Sequence, residues 1–416
     1  MLTQIDLFAG AGGLSTGLAM AGFKCIFANE ISPSYAQTLI ASHPDTEVET
    51  GDVRLVDAKN VRMRLGLSVG ELDLLAGGPP CQGFSINAPK RSTEDRRNHL
   101  FRDYLRFAEE FQPKLILIEN VPGMISFEKG QTVLEILSAL KDLGYAADVR
   151  VLYAPHYGIP QMRWRTIVLA NRIGVDPLLQ FPIPAYEALG RANFTTSLMG
   201  KKVVLSDQEL REYQLSPHIT VSDAISDLPA IENGGGAEEM CYHSNPISSF
   251  QARLRTGSDV IYNHHAAKLG KINVERAKHI PIGGSWRDIP FDLLPAGMKR
   301  ARRSDHTKRY GRLHPEQLGS TILTKCDPHW GTYIHPTQER VISVREAARI
   351  QSFPDKVKFM GSVTEQYEQV GNAVPPVFAE AIGIRQKAIL ETVQYKSQSS
   401  FLLPSPWLNS QLSMAI

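Results

Sequence analysis

Short apolar runs alternate with amphipathic stretches through the first 185 residues. Ile5–Phe8, Lys24–Ala28, Asp73–Ala76, Leu115–Ile118, Val149–Tyr153 and Thr166–Ala170 each have the length and composition of a strand. Between several of them, apolar residues recur at helical spacing, as in Phe101–Phe111 and Thr132–Leu143. This alternation predicts an α/β fold with a mostly parallel sheet and helices on both faces. Ligands of such folds bind beyond the carboxyl ends of the strands. From about residue 186 to 340 the periodicity weakens. Gly, Pro, His, Ser and Arg punctuate the chain there, as in Gly234-Gly235-Gly236 and Pro328-His329-Trp330-Gly331. A smaller, loop-rich domain inserted into the first is expected. The helical pattern returns at Val344–Ser352 and Pro376–Thr392. The expected division is therefore 1–185 plus 341–395 for the large domain and 186–340 for the small one. Residues 396–416 read as a weakly ordered tail.

Composition narrows the function without choosing it. The chain of 416 residues is 43% hydrophobic and 21% charged, which suits a well-packed core. A net charge of +2 neither requires nor excludes nucleic acid, so any electrostatic footprint has to come from local clusters. The four cysteines, Cys25, Cys81, Cys241 and Cys326, form no CxxC pair. That spacing argues against a zinc site or a disulfide framework and fits a reducing cytoplasm. The opening MLTQIDLFAG is not patterned as a signal peptide, and no stretch approaches the ~18–20 apolar residues of a membrane span. His264-His265 has no acidic or cysteine partner at ligand spacing, so no metal is expected.

Two loops carry the candidate chemistry. Ile5-Asp6-Leu7-Phe8 runs into Ala9-Gly10-Ala11-Gly12-Gly13-Leu14 and then a helix. Glycines at a strand-to-helix turn permit positive φ and let backbone approach a ligand. Glu30, about twenty residues on, is placed to accept two ribose hydroxyls, and Asp52 to accept an adenine amino group. Together they describe an adenosine-bearing ligand, and the absence of a Gly-Lys-Ser/Thr signature argues against a triphosphate. The second loop is Gly77-Gly78-Pro79-Pro80-Cys81-Gln82-Gly83-Phe84-Ser85. Prolines fix φ and pre-shape the loop around the thiol, so Cys81 reads as a nucleophile. Cys25, Cys241 and Cys326 read instead as small buried hydrophobes.

GGPPCQGFS resembles the catalytic loop of the C5-cytosine-specific DNA methyltransferases of bacterial restriction-modification type. DLFAGAGGLSTGL (6–18) resembles that family's first motif, and further blocks follow in order: Glu119-Asn120-Val121, Gln161-Met162-Arg163-Trp164-Arg165, the stretch from Val344 to Pro354, and Gln369 to Pro376. The resemblance spans 4–171 and 341–390. It implies a Rossmann-like, S-adenosyl-L-methionine-dependent methyltransferase fold with an inserted target recognition domain at 186–340. It implies Cys81 as nucleophile, Glu119 as the group that meets N3 of the cytosine, and Asn120 as the residue that orders the Cys81 loop. Arg165 and Arg163 would bind the base carbonyl or nearby phosphates. The cofactor would lie against Phe8, Ala9, Gly10, Gly12 and Leu14, with Glu30, Asp52 and Pro80, and Asn372 and Ala373 would return to the same pocket.

The implied partner is duplex DNA, from which the target cytosine must be flipped. Ser85, Lys90, Arg91, Arg96 and Arg97 fall in a segment similar to the family's mobile loop. Within 186–340, Lys299-Arg300-Ala301-Arg302-Arg303 and Lys308-Arg309-Tyr310-Gly311-Arg312 concentrate positive charge. Arg302, Arg303, Arg309 and Arg312 are therefore expected on DNA, together with Thr321 of the Thr321-Ile322 pair. A cognate restriction endonuclease is a candidate partner, and a monomer suffices for every step. The rival readings are a tRNA cytosine methyltransferase, a catalytically dead DNA-binding relative and a dinucleotide-binding fold-mate. The Gly-Phe-Ser after Pro-Cys-Gln and the long insertion favour DNA. The presence of Cys81, Glu119, Glu30 and Asp52 argues against a dead relative.

Overall fold

The computed structural model describes residues 1–80 and 100–399. The expectations for Cys81, Ser85, Lys90, Arg91, Arg96 and Arg97 lie outside the described residues.

Seven strands form one sheet: β1 (Leu2–Leu7), β2 (Phe23–Glu30), β3 (Glu47–Thr50), β4 (Leu74–Gly77), β5 (Leu115–Asn120), β6 (Ala146–Tyr153) and β7 (Trp164–Asn171). Their order is β3-β2-β1-β4-β5-β7-β6. The five strands from β3 to β5 run parallel, whereas β7 runs antiparallel between β5 and β6. The mixed but mostly parallel sheet agrees with the alternating pattern. Chain order reverses between β1 and β4, the place where an open α/β sheet leaves a crevice at its carboxyl edge.

Helices cover both faces. On one, α3 (Ala58–Arg64), α4 (Leu100–Phe111) and the helix Gln131–Asp142 pack with β-strand side chains such as Ile5, Ile116 and Val168. Helix α4 buries Phe101, Tyr104, Phe107, Ala108 and Phe111, which the i, i+3, i+4 spacing puts on a single stripe. On the other face lie α1 (Gly13–Met20) and the long helix Pro376–Ser399. These two approach closely because Gly17 has no side chain: a Cβ there would overlap the Pro376 carbonyl and the Ala379 methyl. The long helix passes the predicted start of the tail at 396. Glu391 to Ser399 contains neither Gly nor Pro, so nothing in the local sequence stops it earlier.

A third core joins Val221, Phe250, Leu254, Ile322 and Tyr333 to Val344, Phe353 and Val370. Buried ion pairs reinforce it. Arg349 meets Asp227 and Asp355, and Arg340 forms a two-pronged pair with Glu346 at 2.7 Å per contact. A smaller core of Ala277, Ile280, Trp286, Met298, Tyr310 and Ile334 supports the segment that carries the basic clusters. Cys25 and Cys326 are buried, in keeping with the structural reading. The expectation for Cys241 is corrected: it is exposed, because the ribbon strand Gly236–Cys241 leaves nearly all its residues in water. His264 sits wholly inside, held by the Ser343 hydroxyl and the Pro229 carbonyl at 2.8 Å each. Among the described residues no helix is long and apolar enough to cross a membrane.

Candidate active site and cofactor cavity

A cavity of about 870 Å³ opens at the carboxyl edge of β1, β2, β4 and β5. Phe8, Ala9, Gly10 and Leu14 line it from the glycine loop. The backbone there leaves ordinary space, with φ near +60° at Phe8 and Gly10. A residue that carries a side chain is strained in such a conformation, so Phe8 is held by its surroundings. Glu30 closes the loop. Its Oε2 accepts from the Gly10 amide and its Oε1 from the Ser32 amide, each at 2.8 Å. Burial raises the Glu30 carboxyl above its usual range, although backbone donors oppose the shift. Asp52 is also in the wall, but its carboxylate is occupied by the backbone amide and guanidinium of Arg54.

Other lining residues come from the ends of β4 and β5. Gly78, Pro79, Pro80, Glu119, Asn120 and Arg165 line the same cavity. Arg165 Nε lies 2.5 Å from Glu119 Oε1, and both side chains are nearly buried. Glu119 Oε2 faces Gly78, where a Cβ would come within 3.2 Å of it. Asn120 donates from Nδ2 to the Pro79 carbonyl at 2.9 Å. The strand end of β5 therefore grips the Gly-Pro-Pro loop two residues before Cys81.

Asn372 and Ala373 complete the lining. Helix α2 (Pro33–Ser42) and the helix Val363–Asn372 are laced together by Ser34 Oγ to Glu365 and Thr38 Oγ1 to Gln369. This lacing brings residues about 330 positions apart into one wall. Tyr35 and Asp6 are among the lining residues that the sequence expectations did not include. Tyr35 reaches the cavity only through that helix pairing. Asp6 had a visible mark, a carboxylate inside the apolar run Ile5–Phe8. It is fully buried, accepts Ser15 Oγ at 2.5 Å on one oxygen, and has its carboxyl pushed up to about 7 by desolvation. Its other oxygen, Oδ1, has no hydrogen-bond partner among the described residues.

Four sequence expectations are corrected. Gly12 caps α1 with φ +81° and faces Leu39 and His43, away from the cavity, so it shapes the turn. Arg163 is fully buried outside the cavity, and its guanidinium donates to the carbonyls of Ile322, Gly371 and Ala373. It ties three chain segments together rather than presenting charge. Arg312 is also internal. It donates to carbonyls of Ala277, Ile280, His335 and Gln338 and pairs with Glu339, which leaves it no free donor for DNA. Thr321 commits its hydroxyl to the Met162 carbonyl. Arg302 and Arg303 are exposed and Arg309 is half-buried.

A cavity of this size at the sheet's switch point, walled by a glycine loop and a buried carboxylate, is where an open α/β sheet takes a nucleotide-like ligand. The family model for C-5 cytosine-specific DNA methylases matches residues 2–388, and the chain belongs to that family. It is a DNA (cytosine-5-)-methyltransferase. It is 35% identical to the Type II methyltransferase M.AgeI of Thalassovita gelatinovora, over 92% of this chain and 98% of that protein. It is 32% identical to the Type II methyltransferase M.DdeI of Desulfomicrobium norvegicum, over 95% and 91%. Mouse DNA (cytosine-5)-methyltransferase 1 is 31% identical over 96% of this chain, which spans 29% of the mouse protein. A solved E. coli prophage structure, described as a DNA modification methyltransferase, superposes with a TM-score of 0.70 at 26% identity, covering 94% of this chain and all of that one.

Proposed function

We propose that this enzyme methylates carbon 5 of a flipped cytosine at a short duplex sequence, through a transient bond between Cys81 and carbon 6. The observation that supports this reading is the shared cavity: Gly10 and Glu30 line it together with the Glu119–Arg165 pair, and Asn120 holds the loop leading to Cys81. Residues 1–185 with 341–395 would form the catalytic domain, and 186–340 the target recognition domain. The relatives named Type II methyltransferases support a place in a restriction-modification system, with a cognate endonuclease as partner; a monomer in the cytoplasm suffices for every step of this reading.

The residues fit S-adenosyl-L-methionine on their own chemistry. Glu30 suits ribose hydroxyls, and the glycine loop lets backbone come close to the ligand. When bound, that cofactor supplies an electrophilic methyl for carbon 5. The protein's task is to make carbon 5 nucleophilic. Cys81 Sγ adds to carbon 6 as thiolate, and the ring's displaced electron density is met at N3 by a proton from Glu119. Arg165 holds Oε1, leaving Oε2 as the oxygen that donates. Once carbon 5 carries the methyl, its proton passes to water, the C5–H electrons restore the C5–C6 double bond and expel Cys81 as thiolate, and N3 returns its proton to Glu119.

Bisulfite sequencing of plasmid DNA from cells expressing the protein, beside a Cys81→Ser control, tests the proposal. Cytosines protected at one recurring sequence and absent in the control are expected. Protection that persists in Cys81→Ser removes the thiol from the mechanism. Methylation of tRNA but of no duplex would transfer the activity to the rival substrate.

A further inference from the structure

The protein's charge is close to neutral, yet residues 271–312 hold eleven Lys and Arg against four Asp and Glu. Some of these cations are structural: Arg312 is internal, and Arg276 Nε donates to the Leu293 carbonyl. Lys299, Arg300, Arg302, Arg303 and Lys308 remain exposed. Against this basic surface stands Trp330, whose indole is 57% exposed although it is among the largest apolar side chains of the protein.

Trp330 is not loosely held. The turn before it is fixed by His329 N donating to Asp327 Oδ1 at 2.8 Å and Trp330 N to the Asp327 carbonyl at 2.9 Å. Tyr310 N donates to the Pro328 carbonyl at 2.6 Å, and Gly311 N to the Gly331 carbonyl at 3.3 Å, so the loop is pinned to the basic segment. The His329 ring meets the indole edge-on at 5.2 Å, and the Arg309 guanidinium sits 5.5 Å from the indole centroid. An exposed ring with few accessible orientations loses little entropy when it stacks.

The same loop starts at the rim of the active cavity. Ile322 N donates to Gln161 Oε1, and Arg163 holds the Ile322 carbonyl together with those of Gly371 and Ala373. Leu323 and Thr324 press on Gly371 so closely that a Cβ there would overlap them. Gly371 and Ala373 line the cavity. Only six positions separate Thr324 from Trp330.

We propose that Trp330 stacks on a base of the duplex beside the flipped cytosine, with Arg309 pairing with an adjoining phosphate. This rests on the reading that 186–340 faces DNA, and it adds a residue no charge pattern would select. Flipping unstacks neighbouring bases, and an aromatic ring can recover part of that stacking.

The test uses a short duplex carrying the sequence found by bisulfite, with binding measured for the wild type and for Trp330→Ala, Trp330→Phe and Trp330→Leu. Trp330→Ala is expected to weaken binding roughly 5- to 150-fold, the range supplied by base–aromatic stacking, with an unchanged thermal midpoint. Trp330→Phe should recover most of the loss and Trp330→Leu little. Recovery by Leu equal to that by Phe overturns stacking, and wild-type affinity in Trp330→Ala overturns the interaction with DNA altogether. A wild-type protein that methylates no duplex overturns the underlying reading instead, whatever the variants do.

Discussion

Arginine serves opposite ends in two regions of this molecule. Around the seam between 161–163, 221–254 and 340–373, Arg163, Arg340, Arg345 and Arg349 are fully buried, and each guanidinium faces carbonyls or carboxylates of other segments. In the basic segment, Arg302 and Arg303 stand in water. A buried guanidinium has lost its hydration and must place its donors on internal acceptors, so it works as architecture. An exposed one keeps its donors and its counterions, and neutralising a phosphate releases those ions. The comparison teaches that a count of arginines says little about DNA until burial is known. Arg312 makes the point within one cluster, since Lys308, four residues before it, is exposed.

The largest expected effect is on chemistry. Glu119→Gln should lower methyl transfer by roughly 10²- to 10⁴-fold, the usual worth of a positioned acid, with DNA affinity nearly unchanged. Labelled-methyl incorporation beside a gel-shift assay reads both, and a parallel collapse of affinity would show that Glu119 binds rather than protonates. Next comes the buried seam. Arg349→Met removes the guanidinium shared by Asp227 and Asp355 and leaves them Arg255 and Arg345, the latter at 3.7 Å, at a cost of up to roughly 3–5 kcal/mol. Urea unfolding should show that destabilisation, while Arg303→Gln leaves the midpoint where it was. Equal shifts in the two variants would erase the contrast.

Acid should find the buried region too. Desolvation brings His43 and His335 down to about 4 from 6.5, so both are neutral in the folded protein near pH 6. Between pH 6.5 and 4 the unfolded chain takes up protons at these positions that the folded chain refuses. Stability therefore falls as pH falls through that window, by at most about 1.4 kcal/mol per pH unit for each group. Thermal midpoints at several pH values should flatten in His43→Asn, and an identical pH profile would remove His43 from the account. The smallest effect belongs to the exposed cations. Arg302→Gln or Arg303→Gln should reduce the slope of log affinity against log salt by about 0.9 for each phosphate that is no longer neutralised. An unchanged slope would take that residue off the DNA.

Much of the large domain was legible because its signals are local. Six apolar runs are the strands β1, β2, β4, β5, β6 and β7, each within a few residues of its predicted ends. β3, Glu47–Thr50, has no apolar run because it is a half-exposed edge strand. Nothing local shows that β7 inserts antiparallel between β5 and β6. For the cavity, Phe8, Gly10, Glu30, Glu119 and Asn120 stand at strand ends where the alternating pattern directs attention. Tyr35 stayed hidden because its place depends on helix–helix lacing with residues more than 300 positions away.

The sequence by itself determined the strand-and-helix alternation, the order of the motifs, the family and the side chains offered for chemistry. These rest on spacing and residue type, which act over a few neighbours. Tertiary structure decided which of those side chains face the cavity, which arginines are committed to carbonyls, and that Trp330 stands outside a core built to bury such rings. Burial is set by segments distant in sequence, and with it the availability of every donor and charge.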